Sequence, residues 1–184
     1  KQKECVKILD DLTTQKQLLN DRKSGIKRQM KYYFETQIKI NKEVVKIRKL
    51  GDICEIKNGT SITKDKLKTG NIQVVGGGVK PLGFHNIHNL EKNTILISKD
   101  GANAGFVSIY DNPIFATGHA LFINNIHLNV KKFYLYYILK HFESQLYNFQ
   151  TGGGQPGVNK DEIKDNLNIP ILPIEKQKEI VQYL

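Results

Sequence analysis

The first residues of the chain return in register close to its end. Lys1-Gln2-Lys3-Glu4 matches Lys176-Gln177-Lys178-Glu179, and Val6 and Leu9 match Val181 and Leu184. The offset of 175 residues, which is 176 minus 1, far exceeds the period of a solenoid repeat. It predicts that the repeated unit is a whole helix-plus-domain module. We therefore expect the chain to hold one period of a longer protein and to end inside a second copy of its first helix.

Residues 1 to 39 favour one long helix, because they contain no proline and a single glycine, Gly25. Apolar residues recur there at the seven-residue spacing of paired helices. We assign helix pairing to the members of this stripe, which are Leu9, Leu12, Leu19, Ile26, Met30 and Tyr33. A stripe this narrow requires a partner, and the repeat predicts a second copy of the same helix packed antiparallel. The alternatives are an amphipathic helix lying on its own domain and a purely structural coiled-coil dimerisation module.

Beyond residue 42 the pattern changes to short β-like runs separated by glycine and asparagine. Strands are predicted over 44–50, 72–75, 94–98, 106–110, 114–123 and 167–171. Helices are predicted over 131–149 and 160–166, and Pro173 is expected to open a terminal helix. The intervals suit a mixed or antiparallel sheet, so the fold class is α+β. We divide the chain into a long helix (1–41), a β-rich domain (42–168) and a junction with the start of the next helix (169–184).

The charge balance favours an anionic partner. Lys and Arg number 28 against 18 Asp and Glu, a formal net charge of +10, and nucleic acid is the first candidate. No segment is long and apolar enough to span a membrane, and none resembles a secretory signal. Cys5 and Cys54 make a poor disulfide framework and fit a reducing compartment. We therefore expect a cytoplasmic, nucleic-acid-binding protein without a membrane partner.

Cationic, amide and hydroxyl side chains lie beside the turn glycines, where they can follow phosphates and base edges. The expected DNA contacts in these loops are Lys57, Asn58, Thr60, Ser61, Lys64, Lys80, Lys99, Asn103, Thr117, His119 and Gln155. For each lysine a solvated surface charge is the alternative. The glycine run 76–78 fits no nucleotide-binding pattern. His85 and His88 are spaced for a shared metal only if two further ligands converge on them, and the other histidines and Cys54 have no partner nearby in the sequence. No cofactor and no metal are expected.

An enzymatic alternative depends on Asn112-Pro113-Ile114-Phe115. This tetrad resembles the Asn/Asp-Pro-Pro-aromatic loop with which DNA amino-methyltransferases hold an extruded amino group and stack its base. Isoleucine replaces the second proline here, and no glycine-rich S-adenosylmethionine loop precedes it. A simple Asn-Pro turn is the competing interpretation, and an amino-methyltransferase fragment stays as the alternative function.

Several segments together resemble the specificity subunits of type I restriction-modification systems. Residues 168–180, Asn-Ile-Pro-Ile-Leu-Pro-Ile-Glu-Lys-Gln-Lys-Glu-Ile, resemble the proline-rich strand-to-helix junction of that family. Four further resemblances occur in the family's order, at residues 49–59, 97–101, 134–140 and 154–158. They cover nearly the whole chain. Lys16 and Lys23 depart from the pattern because they interrupt the helix stripe.

The resemblance implies a non-catalytic target recognition domain joined to a conserved spacer helix. Such a domain reads one half of a bipartite target in double-stranded DNA. Methyltransferase (M) subunits dock on the specificity subunit and the restriction (R) subunit joins indirectly, so the chemistry belongs to those partners. A second recognition domain, or a second copy of the chain, is expected to pair through the long helix. The DNA sequence itself is not readable from the family, since one scaffold serves many targets.

Overall fold

The computed structural model describes residues 43–63, 67, 70–152 and 154–184, and from the first helix residues 17, 18, 21, 24, 25, 28, 29, 31, 32 and 34–37. These described N-terminal residues are helical, as their spacing predicts. All six residues assigned to helix pairing, and Lys64 among the expected DNA contacts, lie outside the described residues. The chain forms two compact units, Lys1–Lys42 with Leu184 and Glu43–Tyr183. All of the described strands belong to the second unit.

Eleven short strands and five helices make up the described part of this second unit. The strands are β1 (Lys46–Lys49), β2 (Glu55–Asn58), β3 (Ile72–Val75), β4 (Gly83–His85), β5 (Leu96–Ser98), β6 (Val107–Ser108), β7 (Phe115–Ala116), β8 (Ala120–Asn124), β9 (Gln150–Thr151), β10 (Gly157–Val158) and β11 (Asn168–Ile171). The helices are α1 (Leu50–Ile53), α2 (Lys132–His141), α3 (Glu143–Asn148), α4 (Lys160–Asn166) and α5 (Ile174–Tyr183). This composition confirms the predicted α+β class.

Two sheets form the centre of the unit. The four-stranded sheet has the order β2-β8-β5-β6 and is antiparallel throughout. The three-stranded sheet has the order β4-β3-β7, in which β3 and β7 are parallel. Their shared core contains Val75, Leu96, Ile114, Ala116 and Ala120, so it draws on strands of both sheets. Two antiparallel pairs, β1 with β11 and β9 with β10, complete the strand pairing.

The predicted strand 114–123 is two strands in the structure. β7 belongs to the three-stranded sheet and β8 to the four-stranded sheet, and residues 117–119 carry the chain from one to the other. The Thr117 amide still bonds to the Val75 carbonyl at 2.8 Å, and the Ala120 amide closes the turn on the Thr117 carbonyl at 3.0 Å. The change of sheet is concealed in the sequence because apolar residues resume in β8 directly after residues 117–119.

The predicted helix 131–149 is interrupted at Phe142, which ends α2 and precedes α3 with non-helical dihedral angles. The interruption adjoins Glu143, whose buried carboxylate accepts the Val107 amide at 2.8 Å. The same carboxylate forms an ion pair with Lys140 at 2.6 Å. A tertiary contact to β6 therefore replaces helix continuity at this point. The apolar face of α2 that contains Tyr134 and Ile138 is fully buried, as the spacing predicts.

The terminal helix α5 is fixed to the domain by one buried amide. The helix begins at Ile174, and the Pro173 carbonyl accepts the Gln177 amide at 3.1 Å. The Gln177 side chain has no exposed surface. It donates to the carbonyls of Leu172 and Asn129, both at 2.8 Å, and accepts the Lys131 amide at 2.8 Å. These three bonds join the end of β11, the loop before α2 and α5 at a single side chain.

Candidate nucleic-acid interface

Most of the strands in the two sheets present their ends to one side of the unit. The parallel strands β3 and β7 end there at Val75 and Ala116. β8 begins at the same side, and its first residues pair with the last residues of β2 and β5: Leu121 with Asn58, and Ala120 with Ser98. The loops that follow these strands must therefore meet. We define the loop cluster as the loops after β2, β3, β5 and β7, 58–61, 76–80, 99–103 and 117–119, together with residues 154–157, which the bridge between Asp100 and Gly157 joins to them.

Backbone hydrogen bonds hold the loop cluster together. The Lys99 amide bonds to the His119 carbonyl at 3.0 Å, and the Gly101 amide bonds to the Pro156 carbonyl at 2.7 Å. Thr60 and Thr117 form a parallel bridge that links the two sheets. Segments that lie far apart in the sequence are thus fixed to one another by their main chains, and their side chains are left for other contacts.

Two glycines permit the closest approaches in the cluster. A Cβ atom at Gly77 would overlap the carbonyl oxygen of Asp100, and one at Gly59 would overlap the carbonyl oxygen of Thr117. Any larger residue at either position would push two of the loops apart. The run 76–78 therefore serves backbone packing, which explains why it fits no phosphate-binding pattern.

The structure places nine of the eleven expected DNA contacts in the loop cluster. Six of them are exposed, namely Asn58, Thr60, Ser61, Lys80, His119 and Gln155. Lys99 and Asn103 are half-buried in the turn after β5. Thr117 is only 3% exposed, so it belongs to the scaffold of the cluster.

Lys57 lies one residue before the cluster, on the exposed face of β2. Its ammonium forms an ion pair with Glu55 at 3.0 Å. The hydrogen bond from Lys57 lowers the pKa of the Glu55 carboxyl. Part of the positive charge of Lys57 is therefore balanced within its own strand.

Sequence reasoning did not find two residues that organise the cluster. The Asn89 amide donates to the Thr60 hydroxyl at 3.0 Å and to the Ala116 carbonyl at 2.9 Å, and its oxygen accepts the Ala116 amide at 2.7 Å. The Asp100 carboxylate lies 2.9 Å from Nδ1 of His119. Both residues bond to partners that are remote in the sequence, so no local sequence pattern predicts these contacts. In the sequence, Lys99-Asp100-Gly101 has the residue pattern of a turn and gives no sign that Asp100 pairs with His119.

Comparison with known proteins gives this geometry a family. A family described as the type I restriction modification DNA specificity domain matches residues 42–184. The chain belongs to this family. The type I restriction enzyme MjaVIII specificity subunit of Methanocaldococcus jannaschii is 34% identical over 95 residues, which are 52% of this chain and 22% of that protein. The resemblance to type I specificity subunits is confirmed, and the proteins of this class are non-catalytic DNA recognition subunits.

Solved structures share the fold of this specificity domain. The type I restriction-modification S subunit from M. genitalium superposes with a TM-score of 0.70 and 23% identity, over 76% of this chain and 37% of that one. The HsdS subunit from Thermoanaerobacter tengcongensis gives a TM-score of 0.61 and 17% identity, over 95% and 47% of the two chains. At these identities the likeness concerns the fold. The chain spans less than half the length of each of these relatives.

The Asn112 to Phe115 tetrad of the specificity domain lacks the geometry that a base-extruding enzyme requires. The Phe115 ring is 6% exposed and stacks on His85, with the ring centroids 5.2 Å apart and the planes 7° from parallel. A base cannot stack on a ring whose face is already covered. Asn112 is exposed in a turn, so the competing interpretation of an Asn-Pro turn describes the tetrad.

Other features of the specificity domain lie apart from the loop cluster. A cavity of about 610 Å³ opens beside β1 and the junction of β11 with α5, and it is lined in part by Lys46, Arg48, His127 and Ile174. Within the described residues, no three His, Cys, Asp or Glu side chains are grouped as metal ligands would be. Nor does the described part of the chain contain a helix long and apolar enough to cross a membrane.

Proposed function

We propose that this chain is a sequence-specific DNA-binding module of a type I restriction-modification complex, and that the loop cluster reads one half of a bipartite target. The observation that carries the proposal is the convergence of five polar loops at one side of the two sheets. Exposed amide, hydroxyl and imidazole groups lie together there, and base edges in the major groove are recognised by donors and acceptors of this kind.

The lysines of the cluster supply contacts to the DNA backbone. Lys80 is exposed in the loop after β3, and Lys99 is half-buried at the start of the turn after β5. The net charge of +10 adds long-range attraction for a polyanion. Affinity for duplex DNA should therefore fall steeply as salt is raised, because each neutralised phosphate releases counterions.

We further propose that the long N-terminal helix docks the M subunits and pairs antiparallel with a second spacer helix, from another recognition domain or from a second copy of the chain. The R subunit then joins through the M subunits. The seven-residue spacing and the repeated helix start support this arrangement. The Gln177 side-chain amide supports it too, because it fixes the direction of α5, which is predicted to be the start of the second spacer helix. A spacer helix with a fixed direction can set the distance between two half-sites.

Selection from a pool of randomised duplexes tests the reading function. The chain with its matching M subunit should enrich one short half-site, and the absence of any enriched sequence would refute the proposal. Lys80→Ala should make the slope of log affinity against log salt shallower by about 0.9, the value for one phosphate contact. Lys178→Ala is the control, because Lys178 lies on α5 and is ion-paired with Glu175 at 2.8 Å. Its slope should match that of the unaltered chain.

The pairing function has a separate test. Replacing Leu12 and Leu19 with aspartate should abolish association through the helix, as measured by sedimentation velocity, because both residues belong to the proposed apolar stripe. The same variant should keep its half-site preference in the duplex selection. Unchanged association would contradict the pairing, whereas a loss of half-site preference would contradict the independence of the two units.

A further inference from the structure

The loop cluster has an exposed imidazole paired with a carboxylate near its centre. Nδ1 of His119 lies 2.9 Å from Oδ2 of Asp100, and the two side chains are 63% and 30% exposed. Within the described part of the chain, Nε2 of His119 has no hydrogen-bond partner. One nitrogen of the ring is thus held by the protein, and the other is left for a different molecule.

The main chain fixes Asp100 from three sides. Its neighbours Lys99 and Gly101 bond to the loops at 117–119 and 154–157, and Gly77 packs against its carbonyl oxygen. Asp100 also forms an antiparallel bridge with Gly157. The main chain of Asp100 is therefore held where four of the five loops meet, so its carboxylate extends from a fixed backbone position.

A carboxylate in a DNA-binding surface needs a reason, because phosphates repel it. An ionised carboxylate accepts hydrogen bonds and donates none, so the 2.9 Å contact requires the proton on Nδ1 of His119. This bond sets the tautomer and the orientation of the ring, as carboxylates do for histidines that must present Nε2 to a ligand. The carboxylate of Asp100 is thus retained, despite its repulsion of the phosphates, because it orients the His119 imidazole.

We propose that His119 is a specificity-determining residue that contacts one base pair of the half-site through Nε2, and that Asp100 is the positioning residue that orients it. The inference rests on the proposed function of the loop cluster. With Nδ1 bonded to Asp100, Nε2 accepts a hydrogen bond in the neutral ring and donates one in the protonated ring. Each form matches groups that bases present in the major groove, an amino group for the first and guanine O6 or N7 for the second.

The test compares duplex selections by the chain and its variants, each with the matching M subunit. His119→Ala should lower the preference at one base-pair position of the enriched half-site by about fivefold to a hundredfold and leave the other positions unchanged. Asp100→Asn keeps the size of the side chain but removes the charge that fixes the tautomer. It should weaken the preference at the same position. The double variant should lose no more than His119→Ala, since both changes act through one contact.

His88 offers a matched control. It forms a similar exposed pair with Glu91, with Nε2 and Oε1 3.2 Å apart, in the segment between β4 and β5 and outside the loop cluster. His88→Ala should leave the preference at every position unchanged. Thermal unfolding of each variant separates a change of reading from a loss of folding.

The outcomes distinguish a failure of the proposed function from a failure of the His119 contact alone. If the unaltered chain enriches no half-site, both the proposed function and this inference are refuted. If it enriches a half-site that His119→Ala and Asp100→Asn read with the same preferences, only the inference is overturned. A uniform loss of affinity at all positions would also overturn it, because a merely structural pair lowers binding without changing the pattern.

Discussion

Replacing Gln177 with methionine should lower the free energy of unfolding by about 3 kcal/mol. The substitution keeps the length of a fully buried side chain and removes its hydrogen bonds. Three main-chain groups lose a partner: the carbonyls of Leu172 and Asn129 and the amide of Lys131. They lie at the end of β11 and in the loop before α2, so the loss affects the attachment of α5 to two separate segments of the domain.

The magnitude depends on where each bond lies. The bond to Leu172 is buried, and a buried carbonyl left without a donor costs about 1 to 3 kcal/mol. The bonds to Asn129 and Lys131 are partly buried, so water can replace the amide and each loss costs about 0.5 to 1.5 kcal/mol. The apolar methionine side chain gains roughly 1 kcal/mol from burial, which offsets part of the total.

Urea unfolding followed by circular dichroism measures the effect. With a slope of about 2 kcal/mol per molar urea, the midpoint should fall by about 1.5 M. Gln182→Met is the matched control, because Gln182 is exposed on the same helix and glutamine and methionine have similar helix propensities. It should change stability by less than about 0.5 kcal/mol. If the two variants unfold at the same midpoint, the buried amide does not hold the helix to the domain.

Two further predictions concern a glycine and a cysteine. Gly77→Ala should weaken half-site binding at least about tenfold, because the new Cβ displaces the Asp100 carbonyl. Gly78→Ala is the control and should change binding less than about twofold, since its Cβ would lie 3.6 Å from the nearest atom. Equal effects of the two substitutions in a binding titration would contradict this reasoning. Burial raises the pKa of the Cys54 thiol to about 12. In a Cys5→Ser variant, Ellman's reagent at about pH 8 should therefore react with Cys54 roughly a thousandfold more slowly than with a free thiol. A rate near that of free cysteine would refute the burial. The same shift should make stability fall as pH rises from about 8.5 towards 12, where only the unfolded chain releases the proton.

Local patterns predicted the elements whose own residues determine them. Residues 72–75 form the predicted strand β3, and 160–166 form the predicted helix α4, which Asn159 caps by accepting the Asp161 amide at 2.8 Å. β2 was missed because Ile56 is its only buried residue, too little for an alternating pattern. Its strand character comes from pairing with β8, more than sixty residues away, and such pairing leaves no local signal.

The residue types of the candidate interface were predictable, but their arrangement was not. Turn glycines beside polar side chains marked the loops, and all of the marked residues in the described chain lie in or next to the cluster. The role of each was less visible, since Thr117 is buried while the unmarked Asp100 holds His119. Burial and pairing depend on which strand ends meet, and that is decided by sheet order.

The way the loops are joined bears on how a specificity domain can change its target. Bonds between Lys99 and His119, and between Gly101 and Pro156, run from main chain to main chain. A substitution at His119 or Gln155 therefore removes no bond on which the cluster depends, and exposed substitutions of this kind change stability by less than about 0.5 kcal/mol. Gly77 and Thr117, which pack the loops, lack this freedom. Under the proposed function, the exposed side chains of the cluster can thus vary on a constant main-chain frame, and new DNA preferences can arise at a cost in stability below about 0.5 kcal/mol per substitution.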